Sequence, residues 1–246
     1  MDVARYVEHL ERAGEQLATS ARFAGLDAQI PSCPGWTVGQ LVRHTTRVHH
    51  WATFILGGGA QDAFTFERPD DADLFAVFAA GVAELAAALR AAPASLDVYT
   101  MYPAETAALS WARRQAHETA IHQVDAQLAA DAGVSEFDAD FAADGLAELV
   151  MLMGPHRFST ESLTGTSTVT LTPVDANRAW TVTLSPSGIT AVERAQDNSD
   201  LAVFATASDL YRWAWNRARD DEVSLAGDVT VADVWRRSCR VTARGR

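Results

Sequence analysis

The chain has 246 residues, which at roughly 150 residues per domain corresponds to between one and two domains. Hydrophobic residues make up 48% and charged residues 21%, values that fit a soluble globular protein and exclude disordered, collagen-like and disulfide-scaffold chains. Lys+Arg number 20 against 32 Asp+Glu, a net charge of -12; a surface of that sign repels nucleic-acid phosphates and anionic membranes, so a small molecule is the expected partner.

The N-terminus, from Met1 to Leu10, carries charges throughout and lacks the apolar run of a signal peptide. Val3, Tyr6, Val7, Leu10, Ala13 and Leu17 then recur with the spacing of a helix that buries one face. Pro31, Pro34 and Gly35 mark a loop, after which Thr37 is the expected N-cap of a second helix through Val38, Leu41, Val42, Thr45, Val48 and Trp51, ended by Gly57-Gly58-Gly59. A third helix is expected from about Asp71 to Leu89, closed by Pro93. The fourth runs from about Glu105 to Ala130, and a shorter apolar pattern follows from Phe141 to Met153.

Past Gly154-Pro155 the period changes from helical to alternating. Thr166 to Thr172 and Ala179 to Leu184 read as half-buried strands, and Ser185-Pro186-Ser187-Gly188 reads as the turn into a strand Ile189 to Val192. Leu201 to Ala205 is a further strand candidate. Ser208 is the expected cap of a helix through Leu210, Trp213 and Arg217, and Val231 to Trp235 another helix. The expected fold is α+β multidomain: an N-terminal helical bundle over residues 1–157 and a small α+β domain over residues 158–246. No run of 18 consecutive apolar residues occurs, so no bilayer span is expected and the cytoplasm is the expected location.

Chemistry is sought first among the 7 histidines. Glu118 and His122 are four residues apart on the fourth helix and so lie roughly 40° from each other on one face. His44, on the second helix, sits on or near the face that meets the fourth in an antiparallel bundle. Two imidazoles and one carboxylate are the ligand set of a catalytic zinc site, which keeps a further position open for water or substrate. The same residues also fit a core histidine beside a surface ion pair. A protease helix is excluded, because His117 and His122 are five apart and point about 140° away from each other. His49 and His50 lie away from His44 around their helix and are expected to pack or face solvent; His9 and His156 carry no assignment. Cys33 and Cys239 are too few and too distant for a zinc knuckle or a disulfide framework.

The segment Cys33-Pro34-Gly35-Trp36-Thr37-Val38, then Leu41-Val42-Arg43-His44, and about seventy residues later Ala116-His117-Glu118-Thr119-Ala120-Ile121-His122-Gln123-Val124-Asp125-Ala126, resembles the mycothiol-dependent maleylpyruvate isomerase family over essentially the whole chain. The resemblance implies a DinB-like four-helix metal-binding domain, a small C-terminal α+β domain, zinc at His44, Glu118 and His122, and mycothiol as a thiol cosubstrate. It implies an isomerase or S-transferase acting on a small electrophile, as a monomer or weak homodimer without nucleic acid or membrane. Arg217 resembles the family's C-terminal-domain arginine that helps to hold the anionic substrate or thiol; where members commonly have Gly just before it, this chain has Asn216. Cys33 is expected to be structural, Trp36 to anchor the bundle and Asp125 to orient an imidazole, to cap or to face solvent. A ligand-binding or regulatory module, and a hydrolase using zinc-bound hydroxide, are the rival readings.

Overall fold

The computed structural model describes residues 1–239. The chain divides into two compact units, 1–134 and 135–246. In the first unit the helical periodicities are realised as α1 (Val3–Ala24), α2 (Val38–Leu56), α3 (Leu74–Ala91) and α4 (Ala107–Ala130). Asp2, Thr37 and Thr106 cap α1, α2 and α4 with their side chains, and at α2 the Thr37 amide donates to Gln40 Oε1, completing a capping box. α1 packs along α4 and α2 along α3, with α1–α3 and α2–α4 contacts closing the bundle. Leu17, Ala21, Val38, Leu41, Val42, Leu74 and Phe78 are among the buried residues that fill one part of its interior.

α3 is long and apolar enough to cross a membrane by length and composition. Its face Leu74, Phe78, Val82, Leu85 and Leu89 is instead buried in the bundle, and Arg90 forms a two-pronged pair with Glu11 of α1 at 2.7 Å to each carboxylate oxygen. α4 differs from its neighbours in being buried around most of its circumference. Arg114, Gln115, His117, Thr119, Gln123 and Asp125 are all buried on it. Burying so many polar groups is unfavourable unless they find partners, so their pairing marks this helix as the place to look for function.

The second unit opens earlier than the sequence pattern places it. Residues 135–157, expected to finish the bundle, belong to this unit because the aromatic side chains at their start pack on its own helix: Phe137 and Phe141 both meet Tyr211 edge-on, at 5.6 and 6.5 Å between ring centroids. The segment forms α5 (Ala139–Ala147), a π-helical turn (Glu148–Met153) and α6 (Gly154–Arg157). A sheet follows, with strands β1 (Ser167–Pro173), β2 (Trp180–Ser185), β3 (Gly188–Val192), β4 (Leu201–Ala205) and β5 (Ser224–Gly227), then α7 (Ala207–Ala214) and α8 (Thr230–Ser238). Among the described residues the strand order is β3-β2-β1-β4-β5, antiparallel except for the β1–β4 pair.

Two local readings are corrected here, and one strand is added to those expected. β1 and β2 are buried more fully than half-buried strands, down to the Thr170–Thr181 cross-strand pair, whose hydroxyls satisfy each other at 2.9 Å. The cap of α7 is Thr206, whose hydroxyl accepts from the Asp209 amide; Ser208 is the second residue of the helix and accepts from the Phe137 amide at 3.0 Å. β5 carries no alternating pattern because it is four residues long at a sheet edge, and it depends on Gly227, where φ is 102° and a Cβ would collide with the Asp200 carbonyl.

Candidate functional site

The loop between α1 and α2 is held by backbone hydrogen bonds that make a compact turn, Ile30 to Trp36 at 3.0 Å, Cys33 to Ile30 at 3.1 Å and Trp36 to Cys33 at 3.0 Å, with Gly35 at φ 85° supplying the left-handed step. This turn delivers three side chains toward α2 and α4. The Trp36 ring stands edge-on to the His44 ring with centroids 5.4 Å apart. Ser32 donates to one carboxylate oxygen of Asp125 at 2.5 Å, and the Cys33 thiol lies 3.5 Å from the other. The Cys33 thiol thus contacts Asp125 and is not one of the three converging residues.

α2 and α4 bring the three candidate ligands together. The Nε2 atoms of His44 and His122 lie 3.1 and 3.2 Å from the same oxygen of Glu118, Oε1, and a ligand atom from each of the three residues falls within 4.8 Å of the others. The two imidazole rings stand nearly perpendicular with centroids 5.2 Å apart. Glu118 Oε2 accepts from Arg114 at 3.0 Å, and the Nδ1–H of His122 donates to Asp125 Oδ2 at 2.9 Å. Asp125 is therefore no exposed cap: it is buried and turns His122 so that Nε2 faces Glu118.

The charges follow from these contacts. Burial pushes the Glu118 carboxyl up, but hydrogen bonds from His122 and His44 and the nearby Arg114 outweigh it and hold the group well below its ordinary range. Burial pushes His122 down, while its hydrogen bonds to Asp125 and Glu118 and their negative charge raise it to about 9. His122 is thus an imidazolium donating from both nitrogens when only protons fill the site. Two imidazoles and a carboxylate meeting at one point, one imidazole oriented by a buried carboxylate, suit a borderline divalent cation that would take the place of that proton.

The remaining histidines lie elsewhere. His117 faces α1, edge-on to Tyr6 at 6.1 Å. His49 is buried behind the cluster, with Nε2 2.9 Å from the Thr119 hydroxyl, and burial lowers it to about 3, so it is neutral. His50 packs against Phe66, His9 against Arg12, and His156 is exposed. Two residues of the site were missed from sequence. Arg114 carried a signal, since positions 114, 118 and 122 repeat every four residues along one helix face; Ser32, which reaches Asp125 across 93 residues, carried none.

Arg217 belongs to the second unit and stands beyond the end of α7 instead of within the helix. Asn216 adopts φ 61°, its amide bonds to the Trp213 carbonyl and the Arg217 amide to the Arg212 carbonyl, both at 2.8 Å, which is a Schellman stop. Asn is among the few residues besides Gly that enter this left-handed region readily, so the turn is kept with Asn216 in the place of glycine. The Arg217 guanidinium donates to the Trp215 carbonyl at 2.6 Å and lies over the Trp215 ring, 6.0 Å from its centroid.

Replacing Asp125 by Asn keeps the shape but leaves an amide that can present its nitrogen to His122. We expect the affinity of the purified chain for zinc, measured by chelator competition, to fall about 10- to 100-fold; an unchanged affinity would show that His122 needs no such support.

Comparison with known proteins agrees with this architecture. The mycothiol maleylpyruvate isomerase N-terminal domain matches residues 7–127 and the corresponding C-terminal domain matches residues 137–233. No curated protein sequence matches the chain significantly. Two solved structures share the fold, a mycothiol-dependent maleylpyruvate isomerase and a histidine-to-alanine mutant of it; each superposes with a TM-score of 0.63 at 16% identity, covering 93% of this chain and 95% of the other. With both halves of the family's architecture present in order and together spanning nearly all of its length, the chain belongs to the mycothiol maleylpyruvate isomerase family.

Proposed function

We propose that the chain is a zinc-dependent enzyme that uses a low-molecular-weight thiol, mycothiol in the family's case, either to isomerise a small electrophile or to transfer the thiol onto it, with maleylpyruvate cis–trans isomerisation as the type reaction. The observation that carries this reading is the convergence of His44, Glu118 and His122 on one point, with ligand atoms within 4.8 Å of one another. A divalent cation held by these three residues would supply a Lewis acid that stabilises the thiolate of a bound thiol over the thiol itself. Asp125 keeps His122 oriented, Trp36 covers one edge of His44, and Arg114 holds the far oxygen of Glu118.

In the reaction assigned, the thiolate sulfur bonds to one carbon of the double bond of a cis-enone acid while the π pair moves onto the carbonyl oxygen as an enolate. The carbon–carbon bond, now single, rotates, and the enolate collapses to re-form the double bond and expel the thiolate, leaving the trans product, whereas in an S-transferase a proton from solvent quenches the enolate and the adduct is kept. We assign to Arg217 the contact with the substrate carboxylate or the thiol's anionic groups, through a charge-assisted pair that a guanidinium makes with two parallel donors. Its position on a Schellman turn gives the side chain a fixed backbone origin.

Metal uptake is expected to depend on pH with a definite sign. A cation must displace the His122 proton, so apparent affinity should rise about tenfold per pH unit up to about 9 and level off above it. The metal-free chain should behave in the opposite sense: a histidine whose folded value is raised stabilises the fold below its unfolded value of about 6.5, and that stability is lost as pH climbs through about 9. Zinc titrations and melting curves between pH 6 and 9.5 read both trends.

The test of function is the metal content of protein purified without chelator, followed by turnover of cis-enone acids and other electrophiles with and without thiol. About one zinc per chain and thiol-dependent turnover are the expected results. Thiol-independent hydrolysis would replace this reading by a hydrolase, and saturable binding without product, or no metal after zinc loading, would replace it by a binding module.

A further inference from the structure

We propose that Arg114 is a positioning residue that dictates how Glu118 presents its carboxylate, by holding Oε2 so that Oε1 alone faces the two imidazoles. The inference rests on the reading of His44, Glu118 and His122 as a cation site. A carboxylate beside a divalent ion has two equivalent oxygens and can offer one or both. Here they are made inequivalent: both histidine Nε2 atoms lie against Oε1, at 3.1 and 3.2 Å, and the Arg114 guanidinium lies against Oε2 at 3.0 Å.

Three features make that division firm. Arg114 is only 3% exposed, so the hydrogen bond to Oε2 is shielded from water and salt. It lies one turn before Glu118 on the same helix, so the pairing is set by helix geometry and needs no adjustment elsewhere. A guanidinium does not lose its proton, so Oε2 stays occupied at any pH the fold survives. A glutamate limited to one oxygen makes the protein's contribution three ligand atoms, which is the number that keeps a position open for an incoming thiol. With Oε2 released, the second oxygen would compete for that position. Arg114 thereby acts on thiol binding through Glu118 without touching thiol or substrate.

The experiment loads the full chain with cobalt(II) in place of zinc and reads coordination by X-ray absorption fine structure and visible absorption, then titrates N-acetylcysteine and follows the thiolate-to-cobalt charge-transfer band. The unaltered chain should show a single carboxylate oxygen with two imidazole nitrogens, and intense low-coordinate visible bands. Arg114→Met and Arg114→Gln should still take up cobalt, but with visible bands several-fold weaker and a half-saturating thiol concentration roughly tenfold or more higher, the size typical of second-layer partners. Unchanged spectra and thiol titration in both variants would overturn the inference and leave Arg114 an ordinary buried ion pair. A bidentate carboxylate in the unaltered chain would also overturn it, and that measurement decides the matter even if both variants fail to fold. Failure of the unaltered chain to take up cobalt would overturn the cation-site reading as well, so the two failures are told apart.

Discussion

Protein carrying His122→Ala is expected to be purified with less than a tenth of the zinc per chain found in the unaltered protein, and to lose thiol-dependent turnover to background. His122 is one of three residues whose ligand atoms meet within 4.8 Å, and it is the one whose orientation is supported by a buried carboxylate. Changes to partners that only support a ligand cost about 10- to 100-fold in metal affinity or activity, and removal of the ligand itself should exceed that. The variant also strips the imidazolium from between Glu118 and Asp125, leaving a half-buried and a fully buried carboxylate with fewer partners, so some loss of stability accompanies it. Glu118→Gln, which keeps the shape and removes the charge, should lose zinc in the same way. Zinc analysis, circular dichroism and turnover on the same preparations separate loss of the site from loss of the fold. A metal-free His122→Ala protein with full activity would sink the mechanism.

The largest effect on stability is expected at Trp235 of α8. Its ring is fully buried, stacks on Trp213 with centroids 5.6 Å apart, meets Phe158 edge-on at 5.9 Å, and donates from Nε1 to the Ala214 carbonyl at 3.1 Å. Trp235→Ala removes that area from the core, leaves a cavity and orphans the carbonyl, a combination that costs about 3–5 kcal/mol. A melting temperature lower by roughly 6–20 °C should follow for a chain of this size. Because all three candidate ligands come from α2 and α4 of the first unit, the fraction of Trp235→Ala protein that stays folded should keep its full zinc content. A melting temperature within a degree or two of the unaltered protein would contradict the packing role.

The helices of the first unit were legible because their signals are local. The stripe through Val3, Tyr6, Val7 and Leu10, the cap at Thr37 and the glycines after Leu56 act within one or two turns, and α2 begins and ends where those signals put it; α1 stops at Ala24, ahead of the loop containing Pro31 and Gly35, with Gly25 at its end. The segment 135–157 was harder to place because an apolar helical stripe states that a face will be buried without stating against what; here Phe137 and Phe141 meet Tyr211 of α7. β5 was missed because four residues at a sheet edge obtain their shape from pairing with β4, not from their own alternation. The end of α7 was misplaced for a related reason. A helical pattern continues through Arg217, but Asn216 turns left-handed and the helix ends at Ala214.

The candidate site divides in the same way. The sequence by itself determined that Glu118 and His122 share a face, that His117 does not, and that imidazole and carboxylate chemistry is concentrated on two helices, since all of this follows from helix period and residue type. Only the tertiary structure decided that His44 meets that pair across 74 residues of chain, that Ser32 and Cys33 close on Asp125, and that the two oxygens of Glu118 face different partners. Period and capping are short-range properties written into neighbouring residues, whereas the pairing of distant side chains exists only once the bundle has packed and excluded the water that would otherwise satisfy them.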